Sequence, residues 1–111
     1  MNKYHAQKTF YNGILYDSKK ESKRAFQLDL LQRAGRIHSL ERQKRFTLLE
    51  SFTNNKGEKV RAITYVADFA YYDNDRHAWI AEDSKGLATD VFVIKKKLFE
   101  SKYPDWILDI T

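Results

Sequence analysis

Two segments decide the fold of this chain: Thr64-Tyr65-Val66-Ala67-Asp68-Phe69 and Ala81-Glu82-Asp83-Ser84-Lys85-Gly86. The first lies in a stretch, residues 60–72, that is rich in β-branched and aromatic residues, which is typical of a long strand. The second ends another predicted strand, residues 77–85. The polar residues 73–76 between the two strands predict a turn. The two segments are therefore expected to pair as an antiparallel hairpin.

Side-chain alternation along these strands brings carboxylates together. Successive residues of a strand point to opposite faces of the sheet, so Asp83 and Lys85 share one face and Glu82 points to the other. A turn centred between residues 74 and 75 would put Asp68 opposite Ala81, and a turn centred one residue later would put it opposite Asp83. In either register the two aspartates lie within about 5–8 Å of each other.

Two carboxylates at this distance repel each other, so they need a cation, or one of them must take up a proton. The chain has no cysteine, and its three histidines are scattered along the sequence. Oxygen ligands without thiolates favour Mg²⁺, or Mn²⁺ as its substitute. The hairpin therefore predicts a site for a hard divalent cation.

A first helix is predicted over residues 19–34. Ser18 has the side chain of an N-cap, Glu21 follows it in capping-box spacing, and Gly35 is a natural stop. Glu21 shares a stripe with residues four and seven positions later, so it borders the apolar side and would reach a metal from above the sheet. Alternatively, Glu21 only caps Ser18 or pairs with a neighbouring cation. The apolar side is expected to contain Phe26, Leu28, Leu30, Leu31 and Ala34.

The rest of the chain predicts a second helix and several short strands. In chain order we expect a hairpin at 9–16, an extended piece at 37–40, a polar connector at 41–44, a strand at 46–49, a polar loop or hairpin tip at 51–59, a helix at 91–103 with Val91, Ile94, Leu98 and Phe99 on its apolar side, and a strand at 106–110. The order β-hairpin–α–β–β–β–α–β predicts an α+β fold in a single domain, 1–111, whose residues 1–8 form an extended basic arm.

Charge and composition narrow the class of protein. With 42% apolar and 32% charged residues the chain reads as globular, and its formal net charge of +5 favours an anionic partner such as nucleic acid. Many small proteins are basic without such a partner. The absence of cysteine fits a cytoplasmic protein, and no segment resembles a signal peptide or a membrane span.

Taken alone, each candidate residue has a simpler explanation. Asp68 would bond nearby backbone amides at a strand end, and Asp83 with Lys85 would form a surface ion pair. Asp68, Asp83 and Lys85 occur together with Glu21 in a basic chain, and one shared site explains this combination better than separate coincidences.

The arrangement of Glu21, Asp68 and Asp83-Ser84-Lys85 resembles the PD-(D/E)XK nuclease superfamily. More narrowly, the chain resembles a small phage and prophage family that was long catalogued as a domain of unknown function and placed in that superfamily. Ala67 stands where the superfamily motif has proline. The segments that carry the narrower resemblance are Lys3-Tyr4, Asp17-Ser18-Lys19-Lys20-Glu21, Tyr65-Val66-Ala67-Asp68-Phe69, Glu82-Asp83-Ser84-Lys85-Gly86, Thr89-Asp90-Val91-Phe92 and the run to Lys97-Leu98-Phe99.

The resemblance implies a restriction-endonuclease-like α/β fold, a mixed central sheet flanked by helices, and roles for the site residues. Glu21, Asp68, Asp83 and the backbone carbonyl of Ser84 would hold one or two Mg²⁺, and Lys85 would position the attacking water or neutralise the phosphate. The supporting residues would be Gln43, whose alternative is an exposed connector position, and Glu82, which would become a rival ligand if a bulge rotated the strand.

The leading hypothesis is therefore an Mg²⁺-dependent phage-type DNA endonuclease, which would cut branched DNA and, by analogy with resolvases, act as a homodimer. One alternative is a non-catalytic nucleic-acid-binding protein with the same fold. Another is an exonuclease or a single-strand nuclease. The candidates for DNA phosphate contacts are Lys19, Lys20, Lys23, Arg24, Lys95 and Lys97, any of which could instead belong to a solvated helix face.

Overall fold

The computed structural model describes residues 8–16, 18–84 and 89–111. The predicted α+β class and element order are confirmed, with one additional small hairpin in the segment expected to be a polar loop or hairpin tip. The elements are β1 (Thr9–Tyr11), β2 (Ile14–Tyr16), α1 (Lys19–Arg33), β3 (Ile37–Leu49), β4 (Phe52–Thr53), β5 (Lys59–Val60), β6 (Ile63–Asp73), β7 (Ala78–Asp83), α2 (Asp90–Lys102) and β8 (Trp106–Ile110).

A four-stranded mixed sheet forms the centre, with strand order β3-β6-β7-β8. β6 pairs antiparallel with β3 and β7, whereas β7 and β8 are parallel. Parallel neighbours need a crossover connection, and α2 lies in that connection. The mixed sheet is the coarse architecture that the resemblance implied.

The prediction of a polar connector at residues 41–44 was wrong. These residues belong to β3, a single strand of 13 residues that replaces the two predicted pieces at 37–40 and 46–49. Glu41, Arg42 and Lys44 pair with β6 opposite Ala70, Phe69 and Ala67. β3 is an edge strand, so its polar side chains reach solvent while its backbone bonds to β6. The polarity that suggested a connector is the polarity of an exposed strand.

Strand boundaries also differ from the prediction on either side of the central hairpin. The long strand expected at 60–72 is interrupted, because Val60 ends β5 and β6 begins at Ile63. β7 begins at Ala78 rather than at residue 77, since His77 has a φ of 53° and belongs to the turn. Left-handed backbone is incompatible with a regular strand.

Each face of the sheet carries its own hydrophobic core. Ile80 and Ala81 are neighbours on β7, point to opposite faces, and lie in different cores. The core on the α1 side consists of Tyr16, Ala25, Leu28, Ile37, Phe69, Tyr71 and Ile80. The core on the α2 side consists of Phe46, Leu48, Tyr65, Ala67, Ala81 and Phe99.

The helices pack through narrower stripes than the sequence suggested. On α1 the buried residues are Glu21, Ser22, Ala25 and Leu28, whereas Phe26 and Leu30 are 49% and 47% exposed. On α2 only Phe99 is fully buried, and Val91 and Ile94 are 63% and 58% exposed. Their assignment to the apolar sides was wrong because each helix contacts the sheet along one line of residues spaced three or four positions apart. Within the described ranges, neither helix has the length and apolar character needed to cross a bilayer.

The narrow stripe of α1 predicts different effects for two leucines on the same helix. Leu28 is fully buried, so Leu28→Ala should lower the free energy of unfolding by about 2–5 kcal/mol, because it leaves a cavity. Leu30→Ala serves as the matched control and should lower it by less than about 1 kcal/mol. Urea denaturation of the two variants measures both values. Equal losses would contradict the packing of α1.

Candidate functional site

The β6–β7 register puts the two aspartates level with each other on adjacent strands. Phe69 pairs with Glu82 and Ala70 with Ala81, so one further step places Asp68 opposite Asp83. This is the second of the two registers open from sequence. On the other side of β6, the pairs Arg42–Phe69 and Lys44–Ala67 place Gln43 level with Asp68. These three residues, two acids and one amide, lie at one level on three adjacent strands. We call Gln43, Asp68 and Asp83 the acid row.

Hydroxyl and amide donors orient both carboxylates of the acid row. The backbone amide and the hydroxyl of Ser84 donate to Asp68 Oδ2 at 2.8 and 2.7 Å, and the hydroxyl of Tyr65 donates to Asp83 Oδ2 at 2.7 Å. Burial raises the pKa of Tyr65, and the hydrogen bond to Asp83 and the charge of Asp68 raise it further. Tyr65 therefore remains a protonated donor, and its hydroxyl lies near both aspartates.

Glu21 reaches the acid row through Gln43. Its backbone amide donates to Ser18 Oγ at 3.2 Å, which is the N-cap contact of α1, and its side chain is fully buried. Gln43 Nε2 donates to Glu21 Oε1 at 3.3 Å. Within residues 8–16, 18–84 and 89–111, no group of three or more His, Cys, Asp or Glu side chains is placed to hold a metal ion. Glu21 therefore contacts Gln43 and does not form a three-carboxylate metal cluster with Asp68 and Asp83.

Gln43 occupies an unusual backbone conformation. Its φ of 55° lies in the left-handed region, which costs a residue other than glycine about 1–3 kcal/mol. Ser39, at a register shift of the same strand, has a similar φ of 59°. From its position the Gln43 amide side chain contacts α1. The sequence suggested Gln43 only through the resemblance.

Glu82 has a different environment from its neighbour Asp83. It lies on the α1 side, 1% exposed, where Arg24 Nε and Nη2 donate to its two carboxylate oxygens at 2.8 and 2.6 Å and the hydroxyl of Tyr71 donates a further bond. The contact with Glu82 raises the pKa of Arg24. Glu82 and Arg24 therefore form an ion pair with each other. Glu82 is not turned toward the acid row, and Arg24 is not a free surface cation.

The remaining candidate cations lie in varied positions. Lys20 Nζ donates to the backbone carbonyls of Thr111 at 2.6 Å and of Ser84 at 3.3 Å, so its ammonium group would compete with a metal ion for the Ser84 carbonyl. Lys19, Lys23 and Lys97 are exposed and Lys95 is half-buried. Lys85, together with Gly86, Asp17 and most of the expected basic arm, lies outside the described residues.

Sequence reasoning missed a second set of cations on β3. Arg42, Lys44 and Arg45 flank Gln43 on this edge strand, and Arg42 and Arg45 are exposed. Because residues 41–44 were interpreted as a connector, these cations were not considered. Three cations just before the strand predicted at 46–49 nevertheless indicated a basic segment there. They place positive charge beside the acid row.

The number of carboxylates in the acid row is compatible with a divalent cation such as Mg²⁺. Mg²⁺ is usually held by one or two carboxylates together with oxygens of the substrate phosphate and water, and it rarely occupies an all-protein cage. Asp68 and Asp83 supply such a pair. A third carboxylate in direct contact with the ion is therefore not required. Glu21 instead contacts Gln43.

The Arg24–Glu82 pair makes a prediction about stability. Arg24→Met would leave a buried carboxylate without its charged partner, and we expect a loss of at least about 2 kcal/mol in the free energy of unfolding. Guanidinium denaturation measures this loss.

The control for this variant is the exposed pair Arg36–Asp75, whose side chains are 59% and 56% exposed. Arg36→Met should change stability by less than about 1 kcal/mol. A loss in Arg24→Met that matches this control would show that burial does not strengthen the Arg24–Glu82 pair.

Comparison with known proteins places the chain in a family. Searches of curated proteins and of solved structures found no significant match. The family model described as "Protein of unknown function (DUF1064)" matches residues 1–111, and the chain therefore belongs to this family.

Proposed function

We propose that this protein is a metal-dependent nuclease that hydrolyses phosphodiester bonds in DNA. The observation that carries the proposal is the register of β6 and β7, which pairs Phe69 with Glu82 and, continued by one residue, puts Asp68 opposite Asp83. Gln43, level with Asp68 on β3, donates to the buried Glu21. The resemblance to PD-(D/E)XK nucleases implies metal-holding roles for Glu21, Asp68 and Asp83.

The repulsion between the two aspartates is the physical reason to expect a metal. A bound Mg²⁺, or Mn²⁺ in its place, would act as a Lewis acid on the scissile phosphate and would lower the pKa of a bound water. Asp68 and Asp83 would hold the ion, while Ser84 and Tyr65 keep the two carboxylates oriented. Lys85 is proposed to position the attacking water or to neutralise charge on the phosphate.

Positive charge near the acid row supports DNA as the substrate. The net charge is +5, and Arg42, Lys44 and Arg45 lie on the edge strand on either side of Gln43. Lys19 and Lys23 on α1, with Lys95 and Lys97 on α2, are further candidates for phosphate contacts. Arginine and lysine at the rim of a site of this kind hold the backbone without reading its sequence.

Substrate shape and assembly belong to the proposal only by analogy. A branched-DNA substrate, as for Holliday-junction resolvases, would call for two symmetric cuts and hence a homodimer. A single-strand nuclease or an exonuclease would need only one site. A protein that binds nucleic acid without cutting it is the alternative from another class, but opposed carboxylates facing phosphate would weaken such a binder.

The proposal predicts the effect of removing the carboxylates on cleavage. Asp68→Asn, Asp83→Asn and Lys85→Ala should each lower the rate of nicking of supercoiled plasmid, and of cutting of a four-way junction, by at least about 100-fold. The matched control is Asp75→Asn, which changes an exposed aspartate in the turn after β6 and should cut at the wild-type rate. Circular dichroism should show that all four variants are folded.

Cleavage that persists unchanged in Asp83→Asn or in Lys85→Ala would overturn the assignment of these residues. Wild-type protein that binds both DNAs tightly but cuts neither with Mg²⁺ or with Mn²⁺ would favour the non-catalytic alternative.

The proposal also predicts a direct metal effect that does not depend on cleavage. Mg²⁺ or Mn²⁺ should raise the melting temperature of the protein in EDTA-free buffer, because a ligand that binds only the native state stabilises it. The rise should be abolished in the double variant Asp68→Asn/Asp83→Asn and retained in Asp75→Asn. Differential scanning fluorimetry across a metal titration measures it. An equal rise in the double variant would locate the metal elsewhere.

A further inference from the structure

A small hairpin extends beyond the end of the central sheet, between β3 and β6. We call residues 50–62 the ribbon; it consists of β4, β5 and the residues that connect and flank them. Within the described residues, β4 and β5 pair only with each other, and no residue of the ribbon is buried or belongs to either core. Neither the packing of the fold nor the proposed metal site accounts for the ribbon.

The tip of the ribbon is held in one shape by Asn54. The backbone amide of Asn54 donates to the Glu58 carbonyl at 2.9 Å, and its carbonyl accepts from the Gly57 amide at 3.0 Å. Its side-chain oxygen accepts from the backbone amides of Lys56 and Glu58, each at 3.0 Å. A hairpin that is ordered without core contacts is suited to present its side chains to a partner, because less freedom is lost on binding.

The ribbon and the adjoining part of β3 carry most of the net positive charge. Residues 42–61 contain six cations and two acids, a net charge of +4, compared with +5 for the whole chain. Both acids have partners: Glu50 accepts from Lys102 Nζ at 3.4 Å, and Glu58 accepts from the side-chain amide of Asn54 at 3.1 Å. The charge asymmetry of the chain therefore points to an anionic partner at this end of the molecule.

Three cations of the ribbon are available to such a partner. Lys56, Lys59 and Arg61 are exposed, and over residues 8–16, 18–84 and 89–111 none of them forms an ion pair. Phe52 is the one aromatic residue of the ribbon. Proteins that hold single strands combine cations with several aromatic rings on which bases stack. Cations without such rings favour contacts to backbone phosphates instead.

An open strip of the sheet joins the ribbon to the acid row. Phe46 on β3 and Tyr65 on β6 lie in the α2 core, so their neighbours Arg45 and Val66, which pair with each other, point to the opposite face. Val66 is 37% exposed, and Arg45 is exposed as well. In the described part of the chain, residues 45–66 contribute no member to the α1 core. This side of β3 and β6 is therefore open to solvent between the acid row and the ribbon.

The distance from the acid row to the tip of the ribbon suits a double helix. From Gln43 to Asn55 the chain spans at most about 40 Å, at about 3.3 Å per strand residue. One turn of B-DNA measures about 34–36 Å. A duplex is stiff over this length, because its persistence length is about 50 nm, so it reaches both the acid row and the tip without being bent. A flexible single strand would have to be straightened to do the same.

We propose that the ribbon binds the phosphate backbone of a double-stranded arm of the DNA substrate, about one helical turn from the phosphate held at the acid row. The inference rests on the proposed nuclease function and narrows its substrate to DNA with a duplex arm beside the cut. Plasmid and branched DNA meet this condition, and DNA that is entirely single-stranded does not. Contacts of this kind hold the duplex without reading its sequence.

Binding in EDTA tests the proposal without cleavage. The probes are a fluorescein-labelled duplex of about 30 base pairs, nearly three helical turns, and a labelled oligothymidine with the same number of nucleotides per strand. In fluorescence anisotropy, the triple variant Lys56→Gln/Lys59→Gln/Arg61→Gln should bind the duplex at least about tenfold more weakly than the wild type. Its slope of log affinity against log salt should fall by about 2–3, because each lost phosphate contact contributes about 0.9. Its affinity for oligothymidine should change by less than about twofold.

The matched control is the triple variant Arg33→Gln/Arg36→Gln/Arg76→Gln. It removes the same charge at the opposite end of the sheet, around the start of β3 and the turn after β6, and should keep the wild-type affinity and salt slope. Thermal melting of both variants checks that they fold. Equal losses of duplex binding in the two variants would overturn the inference. A ribbon variant that binds the duplex like the wild type, or that loses as much affinity for oligothymidine as for the duplex, would overturn it as well.

The two proposals fail in different ways. Plasmid cleavage that depends on Asp68 and Asp83, together with unchanged duplex binding by the ribbon variant, would leave the nuclease and remove the ribbon assignment. Duplex binding that depends on the ribbon, without cleavage under any metal, would leave the ribbon as a duplex-binding site and remove the nuclease.

Discussion

The pairing register of β6 and β7 is the constraint on which the site depends. It sets Asp68 against Asp83 and, in the same step, Phe69 against Glu82. Because side chains alternate along a strand, a slip of one residue would exchange the faces of an entire strand. The apolar neighbours hold the register: Ile80 must lie in the α1 core and Ala81 in the α2 core. The burial of ordinary core residues therefore places two like charges opposite each other.

The fold surrounds four acids of this region with different partners. Glu82 on the α1 side is neutralised by Arg24 and accepts a further hydrogen bond from Tyr71. Asp68 and Asp83 are held by hydroxyl and amide donors, which orient a carboxylate without cancelling its charge. Glu21 contacts the amide of Gln43. This division concentrates negative charge at the acid row while cations remain on the neighbouring edge strand.

Much of the fold could be predicted because its signals are local. The Asn12-Gly13 turn, the Ser18 cap, the polar turn after β6 and the β-branched strands each depend on residues close in sequence. The continuity of β3 could not be predicted, since residues 41–44 look like a loop until β6 supplies the backbone partners. The exposure of Phe26 and Ile94 likewise depends on how much sheet each helix covers, which no helical pattern specifies.

The sequence by itself determined the class of fold, the element order and the presence of acids on neighbouring strands, because periodicity and turn chemistry act over a few residues. Only the tertiary structure decided which acids meet. The choice between two registers, the bond between Gln43 and Glu21, and the pairing of Glu82 with Arg24 across 58 residues are long-range contacts. Such contacts depend on packing of the whole chain.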